Sequence, residues 1–142
     1  MIKNSTLSRS ITLANRIDEL TRISAFLEET TEQWDLPMAL GMSLNLVLEE
    51  AFTNVVQYAY TDKEQHEIEL LMEKSGKELI VTIIDDGQPY DPTKKTDPDI
   101  NLNVENRPIG GLGIFLIKKT MDNVAYERKN DKNHLIMTKN LA

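Results

Sequence analysis

The sequence predicts an α+β domain of two layers, a mixed but mostly antiparallel sheet with about three helices packed on one face. Three observations carry that expectation. Apolar residues recur at helical spacing from Ala14 to about Tyr60, then alternate from His66 onward. The strands come as adjacent pairs rather than singly between helices, which is the order of an α+β domain and not of a parallel α/β sheet. The chain has 142 residues, enough for one core and too few for two, so 1–142 is read as a single domain.

The elements follow in order. Leu7 to Leu13 alternates loosely and reads as a strand. Ala14 to Trp34 reads as a helix, with Ile17, Leu20, Ile23, Ala25 and Leu27 inward and Glu19, Glu28, Glu29 and Glu32 toward water; Asn15 is placed to cap it. Leu36-Pro37 marks a break, with Pro37 in the first turn of the next helix. That helix runs to about Tyr60, and its stripe is Leu44, Val47, Leu48, Ala51 and Val55. His66 to Glu73 alternates as a half-exposed strand. After the turn Ser75-Gly76-Lys77, Leu79 to Ile84 is continuously apolar, as in a central strand. From Asp85 to Pro108 the chain turns polar and holds four of the five prolines, which predicts a mobile functional lid over about 91–109. A glycine-rich start at Gly110 to Gly113 leads into a helix, Ile114 to Met121. Val124 to Arg128 and Leu135 to Lys139 then form a hairpin turning at Asp131-Lys132-Asn133.

The totals exclude several functions. With 23 acidic against 16 basic residues, net charge −7, the chain lacks the basic balance of a nucleic-acid binder. No cysteine is present, so disulfides, zinc-thiolate sites and thiol catalysis are out. The polar start MIKNSTLSRS is unlike a signal peptide, and no apolar run approaches the ~20 residues of a membrane span, so a cytoplasmic protein without a membrane partner is expected. No Walker loop follows Gly76-Lys77, no Gly-x-Ser-x-Gly elbow occurs, and His66 and His134 have no metalloprotease spacing. The two histidines and the Lys94-Lys95 pair read as surface groups; Trp34, Tyr58 and Tyr126 read as packing residues.

Three patches remain. On the second helix Glu50 and Asn54 lie four apart on one side, with Gln57 continuing the line. This is either a solvated polar edge or an Mg-phosphate site, since an amide oxygen ligates a hard cation and a carboxylate ligates or takes a proton. Asp85-Asp86-Gly87-Gln88-Pro89 ends the central strand. It is either a plain Asp-Gly turn or an acceptor for an exocyclic amine such as that of adenine, with Gly87 beside the ring. Gly110-Gly111-Leu112-Gly113 is either an unliganded glycine-rich helix start or a phosphate cradle of free backbone N–H groups.

In combination and in this order, the patches resemble the GHKL ATPase superfamily, with its Bergerat ATP-binding fold. The closer resemblance is to its anti-sigma-factor serine/threonine kinase branch. EEAFTNVVQYAY, DDGQPYDP and RPIGGLGIFLIKKTMDNVAYER are similar to that branch's three boxes. The resemblance implies ATP and Mg²⁺ as cofactors, with Glu50 as general base on the acceptor hydroxyl, Asn54 on Mg²⁺ and Asp85 reading adenine beside Gly87. It implies that Gly111, Leu112 and Gly113 wrap the phosphates and that Arg107, on the lid, is placed to reach the γ-phosphate. Glu49 points ~100° from Glu50 on the helix and is given no role. Implied partners are an antagonist protein of the STAS type (an anti-anti-sigma factor) as substrate, a sigma factor as target, and a second copy in a homodimer. The alternative is a non-catalytic, ATP-dependent module that sequesters a partner. Two departures stand out: Gln57 where the first box has a histidine, and a closing turn without the branch's glycine.

Overall fold

The computed structural model describes residues 6–94 and 111–141. Five strands and three helices appear among them: β1 (Thr6–Ala14), α1 (Leu20–Gln33), α2 (Met38–Tyr58), β2 (Glu67–Ser75), β3 (Glu78–Asp85), α3 (Gly111–Thr120), β4 (Asn123–Lys129) and β5 (Lys132–Asn140). The sheet order is β1-β2-β3-β5-β4. Every pairing among these strands is antiparallel, so the parallel component of the expected mixed sheet is not found there. The reason is local. Both hairpins close through tight turns, and β5 doubles back from β4 to lie against β3.

The turns set the register. Gly76 adopts φ 59° in the two-residue turn between β2 and β3, a conformation that glycine reaches without penalty. Between β4 and β5 the turn is Asn130-Asp131, with φ of 54° and 60°. Two successive left-handed residues make a type I′ turn, which matches the twist of the flanking strands. It falls one residue before the expected Asp131-Lys132-Asn133, which moves Asn133 out of the turn and into β5.

The first helix also departs from expectation. A 3-10 turn, Ile17–Glu19, precedes α1. Glu19 is buried rather than turned to water, because its carboxylate accepts the Ala14 N–H and an Arg22 guanidinium N–H, both at 2.8 Å. Asn15 caps no helix. Its Oδ1 instead accepts the His66 N–H at 2.8 Å, and it joins the end of β1 to the start of β2. Ile17 and Ala25 therefore face outward, and Ile23, Phe26, Leu27 and Thr30 form the buried face of α1. Pro37 sits just before α2, which starts at Met38.

The core lies between the helices and one face of the sheet. From the sheet come Ile68, Leu70 and Met72 of β2, Leu79, Val81 and Ile83 of β3, and Met137 of β5. Above them lie Leu44, Val47, Leu48, Ala51 and Phe52 of α2 and Ile114 and Ile117 of α3. Each large side chain so buried contributes about 1.5–3 kcal/mol by leaving water. Helix α2 is flanked by α1 and α3 and carries more of this core than either, so its position governs where its polar residues point.

Candidate functional site

A narrow cleft, partly open to solvent, lies between α2, α3 and strands β3, β4 and β5. Ala51, Asn54 and Val55 of α2 and Ile117 of α3 line one side. Asp85, Tyr126, Asn133 and Leu135 line the other, and Tyr90 and Pro92 border it from the segment after β3. Asn54 and Asp85 thus share one cavity, although 31 positions separate them in the chain.

Asp85 is the last residue of β3 and is 3% exposed. Its Oδ1 accepts the Gly87 N–H at 2.9 Å and an Asn133 amide N–H at 2.8 Å. No donor among the described residues reaches Oδ2, which leaves an acceptor for a ligand in the cleft. Burial pushes the carboxyl above the ordinary carboxylate range, and the neighbouring Asp86 adds to this. The two hydrogen bonds and the charge of Arg128 oppose the shift. The apolar Ala51, Val55, Ile117 and Leu135 around a single buried acceptor suit a flat, partly polar ring.

Asn54 is 5% exposed, and its carboxamide makes no hydrogen bond with any other described residue. With no described partner, the carboxamide is open to a ligand in the cleft. Its oxygen is a hard ligand for a divalent cation. Glu50 is half-buried one turn earlier on the same helix. A Cβ built on Gly113 would lie 2.6 Å from Glu50 Oε2, so the start of α3 lies directly against that carboxylate. Gly111, Leu112 and Gly113 form the first turn of α3, where backbone N–H groups lack helical acceptors and favour an anion. A free carboxamide, a carboxylate and a helix start within one region form a donor set that fits a metal-phosphate group, and Asp85 fits its base.

Gly87 has a structural reason of its own. A Cβ there would fall 2.3 Å from the carbonyl oxygen of Ala59, and the next residue, Gln88, donates its N–H to that oxygen at 2.8 Å. The glycine therefore locks the end of β3 to the end of α2. Gln57 is exposed and does not line the cleft. Arg107 and the lid from 95 onward lie outside the described residues. The lid's first residues, Pro92–Lys94, form a 3-10 turn, and Lys118 of α3 holds it through the Thr93 carbonyl at 3.1 Å.

Sequence reasoning missed Asn133, Tyr126 and Arg128. Asn133 is 3% exposed and stands directly across from Asp85 in the β3–β5 register. It donates to Asp85 and to the Gln88 carbonyl, and its Oδ1 accepts from Tyr126, from the Tyr90 N–H and from Arg128. Arg128 also donates to the Gly87 carbonyl at 2.8 Å. The missed signal was alternation: Asn133 has the parity of Leu135 and Met137, which face the core. A second network lies beside the site. His66 stacks on Tyr60 and hydrogen-bonds Asp62 at 2.8 Å, and Tyr60 donates to Asp86 at 3.1 Å. Burial, Asp85 and Asp86 together push the Tyr60 phenol above its ordinary range. No described helix is long and apolar enough to cross a membrane.

Known proteins share sequence and fold with this chain. BtrW of Bordetella bronchiseptica, a serine/threonine-protein kinase, is 29% identical over 140 residues, which cover 99% of this chain and 96% of that one. The serine-protein kinase RsbW of Bacillus cereus is 34% identical over 85 residues, and that of Listeria monocytogenes 35%. Those matches cover 57% of this chain and only 52% and 54% of the two RsbW chains. In the crystal structure of the RsbU and RsbW domains of Rv1364c from Mycobacterium tuberculosis the same fold recurs, with a TM-score of 0.69 over 95% of this chain and 32% of that one, at 14% identity. The family described as the histidine kinase-like ATPase domain matches residues 13–139. With its cleft, its three helices and nearly its whole length inside that match, the chain belongs to the histidine kinase-like ATPase domain family, of the GHKL type that includes BtrW and RsbW.

Proposed function

We propose that this single domain is an ATP-dependent protein serine/threonine kinase of the anti-sigma type, acting on an antagonist protein of the STAS type and holding a sigma factor or similar regulator. The observation that carries the reading is the cavity shared by Asn54 and Asp85, with Glu50 beside the start of α3. The names of BtrW and RsbW support protein phosphorylation as the activity.

Asp85 accepts the exocyclic amine of the base through Oδ2, and Asn133 and the Gly87 N–H hold the carboxylate in place. The backbone N–H groups of Gly111 to Gly113 would hold the phosphates, and Arg107 would reach the γ-phosphate. Asn54 would hold Mg²⁺ through its amide oxygen. ATP with Mg²⁺ supplies the phosphoryl group and neutralises the charge around it. Glu50 accepts the proton of the incoming Ser or Thr hydroxyl. In phosphoryl transfer the protein contributes mainly positioning and electrostatics, which agrees with the short list of reactive groups. Cytoplasmic location and a homodimer belong to the same proposal.

The test is transfer of label from γ-labelled ATP to purified STAS-domain proteins of the same organism. The kinase reading predicts a labelled Ser or Thr with the wild type and none with Glu50→Gln, which still binds ATP. Tight ATP binding and capture of a STAS protein with no label in either sample would favour the non-catalytic binding module instead.

A further inference from the structure

The outer face of α2 is apolar where a helix face is normally polar. Met38 is 80% exposed, Met42 67% and Leu46 53%. At ~100° per residue these three lie within ~80° of one another, in a strip that runs along the helix for ~12 Å. Glu49 falls inside that arc, at ~20° from Met38. It is exposed and makes no ion pair or hydrogen bond with any other described residue. Glu50 follows one turn after Leu46, ~40° outside that arc and ~18 Å of helix from Met38, so the strip ends beside the proposed proton acceptor. The flanks of α2 are already taken. Ser24 of α1 bonds Asn45 at 2.9 Å on one side, and Gly113 of α3 meets Glu50 on the other.

We propose that Met38, Met42, Leu46 and Glu49 form the docking strip for the protein whose hydroxyl is presented to Glu50. The partner's matching surface is apolar, with a lysine or arginine set against Glu49. This rests on the kinase reading and names how its protein substrate is held. Two features commit the strip to that occupant. Its position, one helical turn before Glu50, makes any protein seated on it a neighbour of the reacting carboxylate. Its charge is complementary to a basic residue, because a lone carboxylate among exposed apolar side chains offers a directional contact where the apolar area alone offers none. Methionines suit the task, since unbranched thioether side chains adapt to a surface that must release its product. A substrate held here gains proximity to Glu50 without drawing on the nucleotide's own contacts.

The experiment uses the STAS-domain protein that accepts label from the wild type. The triple variant Met38→Ser, Met42→Ser, Leu46→Ser should raise KM for that protein at least tenfold. Its kcat at saturation, ATP affinity and oligomeric state should stay as in the wild type. Glu49→Lys should raise KM severalfold, and a Lys→Glu or Arg→Glu change on the partner should recover it. Unchanged KM in both variants overturns the proposal. So does a change of oligomeric state, which assigns the strip to a second copy, or a loss of ATP affinity, which assigns it to the nucleotide site. If the wild type labels no STAS protein, the kinase reading fails first. Docking is then read from binding of STAS proteins by titration in the presence of ADP: binding that the triple variant weakens tenfold supports the strip, and binding it leaves unchanged, or none at all, overturns it.

Discussion

The two walls of the cleft are finished to different degrees. On the sheet side, Asp85, Asn133, Tyr126, Arg128 and Gly87 satisfy one another, and Asp85 Oδ2 alone is left for a ligand. On the helix side, Asn54 is buried with no described partner and Glu50 stands against a glycine with none either. A network closed on itself fixes a geometry in advance, whereas free polar groups wait for charge to arrive. In the proposed function the sheet wall recognises an unchanging base and the helix wall takes the ion and phosphates, whose charge differs between ATP and ADP.

That contrast can be broken from either side, and the largest effect is expected on the helix wall. Glu50→Gln should lower the rate of phosphoryl transfer by about 10²–10⁴, the usual range for a lost general base, with ATP affinity nearly unchanged in a direct titration. On the sheet wall, Asn133→Ala should destabilise the fold by about 1–3 kcal/mol in urea unfolding, because it leaves the buried Asp85 carboxylate short of a donor. Nucleotide affinity should fall with it, so the same change is read twice.

A smaller effect sharpens the electrostatics. Burial raises the Asp85 pKa, so as pH falls the folded protein takes up this proton before the unfolded chain does. The ionised carboxylate therefore weakens the fold at neutral pH, and acid relieves that strain from a pH above the ordinary 3.8. Base recognition has the opposite sign, since a neutral carboxyl is a poorer acceptor. Adenosine nucleotide affinity should decline on acidification starting above that ordinary value, and Asp85→Asn should abolish this dependence while binding weakly throughout.

The smallest effect lies outside the cleft. His66 is raised by its hydrogen bond to Asp62, and Asp62 is lowered by the same bond. The His66 contribution is complete below 6.5 and is lost as pH rises through the raised value; that of Asp62 is present above 3.8 and is lost as pH falls through the lowered value. His66→Gln should therefore lower Tm slightly at mildly acidic pH, and the gap should close in alkali.

Sequence reading reached the helix wall and only part of the sheet wall. Glu50 and Asn54 stood out because α2 is otherwise apolar at helical spacing, and a four-residue offset fixes a shared side without knowledge of the fold. Asp85 was legible as the end of an unbroken apolar strand. Asn133 was not, because its role depends on the register between β3 and β5, which no local pattern states, and because asparagine after Asp131 and Lys132 reads as turn chemistry. Glu19 failed for a related reason. Its spacing points it outward, yet an unpaired Ala14 N–H and Arg22 draw it in. Gly87 was read as a glycine beside a ring, and the steric reason the structure shows, the Ala59 carbonyl, lies across the junction of two elements.

The central claim is that the two walls hold one nucleotide between them. Calorimetric titration of ATP, with and without Mg²⁺, into the wild type, Asp85→Asn and Asn54→Ala tests it most directly. The account predicts one site per chain in the wild type. Asp85→Asn should lose affinity for ATP and ADP alike, about tenfold or more, whether or not Mg²⁺ is present. Asn54→Ala should lose only the increment that Mg²⁺ adds. No ATP binding by the wild type, or two variants that bind as it does, would contradict the account.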